Sequence, residues 1–197
     1  MKKLIMMAAL VLVSLNASAQ GLFLKPMAGG TVTTLTGDVD KDLKMKIGFA
    51  AGAELGYQFN NFFALTAGAI YTQQGGKISI EGTEDTDGKK YNYSLDYLNV
   101  PIMANVYVAP GLALKAGAQF GFLMRAKIGD DDFKDAYEKS DFSIPMGLSY
   151  EMDEAVIDLR YNLGISNIIK NGIADINNQK VRNSVIMLTI GYKIPLY

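Results

Sequence analysis

The stretch Ala155-Val156-Ile157-Asp158-Leu159-Arg160-Tyr161-Asn162-Leu163-Gly164-Ile165-Ser166 decides the reading of this chain. Ile157, Leu159, Tyr161, Leu163 and Ile165 fall on one side of an extended backbone. Asp158, Arg160, Asn162, Gly164 and Ser166 fall on the other. A strict period of two is the mark of a β-strand with one apolar and one polar face. Three further stretches repeat it. Phe142, Ile144, Met146, Leu148 and Tyr150 oppose Ser143, Pro145, Gly147, Ser149 and Glu151. Ile186, Leu188, Ile190, Tyr192 and Ile194 oppose Val185, Met187, Thr189, Gly191 and Lys193. Leu112, Leu114, Ala116, Ala118, Phe120, Phe122 and Met124 oppose Lys115, Gly117, Gln119, Gly121 and Arg125.

Carried outward, the same reading predicts eight strands: Leu22–Leu35, Met45–Phe59, Phe62–Gln74, Tyr93–Val108, Leu112–Lys127, Phe142–Met152, Ala155–Ser166 and Ser184–Ile194. Asn60-Asn61, Ala109-Pro110-Gly111 and Asp153-Glu154 are tight turns of hairpin residues. The other connections, Thr36–Lys44, Gly75–Asn92, Ile128–Asp141 and Asn167–Asn183, are long and polar. Short turns at one end and long loops at the other characterise outer-membrane barrels. The expected fold is all-β, an eight-stranded antiparallel up-and-down transmembrane barrel with both termini at the short-turn end.

Alternation leaves open which face points inward. A soluble lipocalin-like carrier puts its apolar face inside; a membrane barrel puts it outside. Eight strands enclose a space only just wide enough for side chains. The polar face is also the glycine-rich one, with Gly48, Gly52, Gly56, Gly117, Gly121, Gly147, Gly164 and Gly191, while the apolar face carries Phe49, Leu55, Tyr57, Phe120, Phe122, Leu159, Tyr161 and Tyr192. The small and charged face therefore fits the interior. An arginine on the lipid face at mid-bilayer costs about 2–4 kcal/mol, which turns Arg160 inward, where it needs a partner of opposite sign. Glu54, Asp158 and Glu151 are candidates, and Lys115 and Arg125 are further inward cations. The expected interior polar network is Glu54, Lys115, Gln119, Arg125, Asp158 and Arg160. Such a network either plugs the lumen or lines a narrow porin-like path for small solutes, and the cramped interior favours the plug.

Lys2-Lys3, an apolar run from Leu4 to Leu15 and Ala17-Ser18-Ala19 form a signal-peptide pattern, with cleavage expected before Gln20 and a barrel domain over 20–197. The run is too short to span a bilayer comfortably. Removal of residues 1–19 leaves 17 basic and 20 acidic residues, which does not suggest a nucleic-acid binder. The chain has no His and no Cys, which removes Ser-His-Asp and Cys-His catalysis and the usual zinc sites. No enzyme activity, metal or cofactor is expected. Asp38-x-Asp40-x-Asp42 starts like a calcium loop, but Leu43 and Phe49 stand where glycine and glutamate are required. Glu84-Asp85-x-Asp87-Gly88 and Asp130-Asp131-Asp132 read as solvated loop charges. Long loops on a rigid scaffold suit binding of an external ligand or partner. Tyr57, Phe59, Phe62, Phe63 and Tyr107 near the short-turn end and Tyr192 and Tyr197 near the C-terminus, with Tyr71, Tyr91, Tyr93 and Tyr97 near the loop end, are expected to form two interfacial girdles.

Several stretches resemble a known family. Tyr97-Leu98-Asn99-Val100-Pro101-Ile102, Gly111–Gly117 running on to Gly121, Leu159–Ile168 and Tyr71-Thr72-Gln73-Gln74-Gly75 are similar to strands of the outer-membrane β-barrel proteins typified by the PorT-like small barrels of Bacteroidetes. The likeness covers nearly all of the chain after residue 19. It departs at Asn99, where that family often carries glutamate, so no ion pair is carried over to this position. The resemblance implies an outer-membrane location and contact with outer-membrane lipid and lipopolysaccharide. It also implies recognition of the last strand, ending at Tyr197, by barrel-assembly machinery. An extracellular ligand or a secretion-system partner is the expected kind of partner, but the motifs specify a fold and not a reaction, and a role in secretion does not transfer from the fold alone.

Overall fold

The computed structural model describes residues 21–37, 45–79, 90–128, 131–132, 140–166 and 181–196. Eight long strands form its wall: β1 (Leu22–Gly37), β2 (Lys46–Asn60), β3 (Phe63–Ser79), β4 (Lys90–Ala109), β5 (Leu112–Ile128), β6 (Ser140–Met152), β7 (Ala155–Gly164) and β8 (Val181–Tyr192). Each pairs antiparallel with the next in sequence. The ring closes where β1 pairs with β8, from Met27 opposite Gly191 to Gly37 opposite Val181. Ile194–Pro195 continue that register against Leu24 and Phe23. Among the described residues each of the eight strands has a paired neighbour on both sides, as a chain in lipid requires.

The hairpin turns are built by their own residues. Phe62 donates its backbone N–H to Asn60 Oδ1 at 2.9 Å. Gly111 has φ 75°, and a Cβ there would stand 2.4 Å from the Glu151 carbonyl oxygen. Asp153 has φ 55°, a left-handed conformation that aspartate tolerates better than most residues. At the opposite end the β3–β4 hairpin is longer than alternation indicates. Gly75 pairs with Ser94 and pairing continues to Ser79 opposite Lys90. Backbone pairing can persist beyond the apolar band, where neither face needs to be greasy, so the period-two signal stops before the strands do. The expected leader and the acidic residues Asp38, Asp40, Asp42, Glu84, Asp85, Asp87 and Asp130 lie outside the described residues. The backbone of Asp131–Asp132 pairs with Ile128 and Lys127.

The faces divide by polarity in the sense of a membrane barrel. Ile157, Leu159 and Tyr161 are 40, 43 and 38% exposed, whereas Asp158 and Arg160 between them are 1 and 0% exposed. Ile186, Leu188 and Ile190 on β8, and Phe120, Phe122 and Leu114 on β5, also face outward. The soluble-carrier alternative fails here, because a carrier would have these side chains in its lumen. The aromatic girdles need two corrections. Phe59, Phe62 and Tyr192 are exposed near the turn end, but Tyr97 is buried, because the odd-numbered residues of β4 point inward. Tyr107 also belongs to the inward set, and its hydroxyl donates to Glu151 Oε1 at 2.6 Å.

Candidate functional site

The lumen is filled in layers. At its centre five charged side chains from four strands meet: Lys25 on β1, Glu54 on β2, Lys115 on β5, and Asp158 and Arg160 on β7. All are buried. Lys25 Nζ lies 2.8 Å from Glu54 Oε2 and 3.5 Å from Asp158 Oδ2. Lys115 Nζ bonds Asp158 Oδ2 and stands 3.8 Å from Glu54 Oε2. Arg160 bridges both acids. Its Nη1 is 2.7 Å from Glu54 Oε1, and its Nε and Nη2 donate to Asp158 at 2.8 and 3.0 Å. Every charge therefore touches at least two of opposite sign. That dense pairing offsets the large desolvation cost of burying ions.

Glycines make the room. Lys115 and Arg160 both pair across to Gly147, on opposite sides of β6. A Cβ at Gly68 would stand 2.7 Å from Glu54 Cγ, and one at Gly191 would stand 3.1 Å from Lys25 Cγ. The glycine-rich inner face is thus the space the long charged side chains occupy.

Towards the turn end, Lys193 Nζ lies 2.8 Å from Glu151 Oε2 and sits 4.6 Å from the centroid of the buried Phe23 ring. Tyr107 shares the same carboxylate. Towards the loop end Lys46 Nζ donates to the Gln74 carbonyl at 3.0 Å, and the side-chain amides bond one another and a hydroxyl. Asn99 and Gln74 each donate to Thr72 Oγ1 at 2.7 Å, and Asn183 donates to Gln74 Oε1. Asn99 therefore sits in a network of amides and a hydroxyl, with no ion pair.

Of the six residues expected inside, Glu54, Lys115, Asp158 and Arg160 come together in the central cluster. Gln119 is buried four residues further along β5 than Lys115 and donates to Ser143 Oγ at 3.1 Å. Arg125 is a correction: its side chain is exposed. Tyr97 pairs with Leu123 but Asp96 pairs with Arg125, so β5 carries an extra residue at a bulge. The bulge changes the phase of alternation. Leu123 and Ala126 point inward, and Met124 and Arg125 both point out.

Lys25 is the member that sequence reading misses. Its inward neighbours on β1 are Phe23 and Met27, both buried, so the strand shows no polar face around it. The signal that finds it is register: Lys25 pairs directly with Glu54.

A closed eight-stranded wall, greasy outside and charged within, matches one family model over residues 11–170, described as the outer membrane protein beta-barrel domain. The chain belongs to this family. Solved structures share its fold. Ail, the attachment invasion locus protein of Yersinia pestis, superposes with a TM-score of 0.53 at 18% identity, covering 89% of this chain and 99% of that one. Ail in complex with the heparin analogue sucrose octasulfate gives a TM-score of 0.51 at 19% identity, covering 88 and 99%. Neisserial surface protein A gives 0.53 at 15% identity, covering 91 and 98%. No curated protein matches the sequence significantly.

Proposed function

We propose that this protein is a closed, non-conducting barrel of the outer membrane that acts through its loop end, by binding an external ligand or protein partner. The central ion cluster is the observation that carries this reading. Five interlocked charged side chains occupy the middle of a lumen that has little room to begin with, and a solute would have to break several buried ion pairs to pass. Function then falls to the ends of the barrel, and the long loops join the strands where binding surfaces usually sit. The motifs around Tyr97, Gly111 and Leu159 favour a place near the PorT-like barrels of Bacteroidetes. On this reading residues 1–19 are removed on export, the apolar band meets lipid and lipopolysaccharide, and assembly machinery reads the last strand.

Planar-bilayer recording of purified protein tests the closed lumen: the wild type is expected to show no steady conductance step, and a stable open level of porin size would refute it. A pull-down from intact cells, with the four long loops present or replaced by short turns, tests the binding role. Retention of the same partners by the loopless barrel would refute that half.

A further inference from the structure

Four oxygens on one wall of the lumen make no hydrogen bond among the described residues. They are Thr33 Oγ1 on β1, Asn162 Oδ1 on β7, and Asn183 Oδ1 and Thr189 Oγ1 on β8. None of these residues is more than 2% exposed. The strand register places them side by side. Val185 pairs with Thr33 on one flank and with Asn162 on the other, and Asn183 is the next inward-facing residue towards the loop end. Thr189 pairs with Asp158, at the edge of the ion cluster. The orphan carboxylate oxygens of Asp96 and Asp141 stand on other strands, β4 and β6.

A buried polar atom without a partner is destabilising and is rarely left so. Four on adjoining strands point to an occupant that donates hydrogen bonds. A metal or alkali cation is disfavoured by charge, because the cluster next to Thr189 holds three cations, Lys25, Lys115 and Arg160, against two carboxylates, Glu54 and Asp158. An anion finds acceptors and not donors on the two amide oxygens. Water donates two hydrogen bonds, accepts others and fits a narrow polar gap.

We propose that the β1–β7–β8 wall of the lumen is a built binding site for structural water, in two groups. The outer group is held by Asn183, Thr33 and Asn162. The inner one is held by Thr189 beside Asp158. Buried Met187 lies between the two levels. On the turn side of Thr189 the buried side chains of Val156 and Phe23 are apolar, so hydration ends at the ion cluster. The lumen is thereby polarised, wet on the loop side of the cluster and dry on the other. This does not depend on whether the loops bind a partner.

Two measurements on the full barrel in lipid nanodiscs test the proposal. The first is water-to-protein NMR cross-relaxation at the side-chain amides of Asn162 and Asn183. Cross-peaks from long-lived water are expected, and their absence overturns the proposal. The second is the urea midpoint of Thr33→Val and Thr189→Val, which keep the shape and delete the hydroxyl. Loss of a water-bonding group is expected to lower each midpoint. A rise in both would mean a dry wall and would sink the idea. A wild-type midpoint that rises with sodium chloride but not with choline chloride would assign the oxygens to a cation and would also overturn it.

Discussion

Neutralising Glu54 is the sharpest probe of the central cluster. Glu54→Gln keeps the side-chain volume but leaves Lys25, Lys115 and Arg160 facing Asp158 alone. The lost attractions are the contacts at 2.8 Å to Lys25 and 2.7 Å to Arg160, with the weaker one at 3.8 Å to Lys115. Breaking a buried pair by removing one partner costs about 3–5 kcal/mol. The glutamine carbonyl still accepts hydrogen bonds from Lys25 or Arg160, so the lower end applies, about 3 kcal/mol. That is about a 100-fold change in the folding equilibrium, a large share of the roughly 5–15 kcal/mol that holds a domain folded. The assay is reversible urea unfolding in lipid vesicles, followed by far-UV circular dichroism or gel mobility, since the chain has no tryptophan. The double variant Glu54→Gln/Arg160→Met restores the wild-type balance of one excess positive charge. It is expected to be less destabilised than the sum of its parts. A Glu54→Gln midpoint equal to that of the wild type, or strict additivity in the double variant, would refute the reasoning.

Other outcomes follow from the same geometry. Leu159→Arg puts on the lipid face the residue that its neighbour Arg160 carries inside, and is expected to cost about 2–4 kcal/mol in vesicle folding titrations. Gly56→Ala sets a Cβ 2.2 Å from Phe23 Cζ. An overpacking cost of about 1–3 kcal/mol is expected in the urea midpoint, relieved in the double variant Phe23→Leu/Gly56→Ala. Lys193→Met breaks the pair with Glu151, whose side chains are 20 and 17% exposed. The expected loss there is about 1 kcal/mol or less, shrinking further in molar salt. A loss as large as that of Glu54→Gln would show that the turn-end pair is as dry as the central one.

The sequence is most legible where each side chain answers to one solvent. On β6, β7 and β8 the outward residues meet lipid and most inward ones are polar or small, so alternation alone gives strand, face and the roles of Asp158 and Arg160. It fails where that separation breaks. Phe23 and Met27 are apolar yet buried beside Lys25, which hides a central cation in an apolar run. The β5 bulge hides in the same way, because Leu123 and Met124 are both apolar and a slip of one residue between them leaves the pattern unmarked. The misplacement of Arg125 follows from that slip. The reach of the β3–β4 hairpin was equally silent, since strands in water need no greasy face.

The closure of β1 on β8 has a consequence for biogenesis. Glu54, Lys115 and the pair on β7 are far apart along the chain, so no single hairpin contains the whole network. A half-inserted sheet would carry Lys115 into the bilayer without Asp158 beside it, and late pairing between distant segments is the slow part of folding. The full set of ion pairs is complete only when the first and last strands zip together. The cluster is therefore a completion latch, which penalises every open intermediate and rewards the finished cylinder.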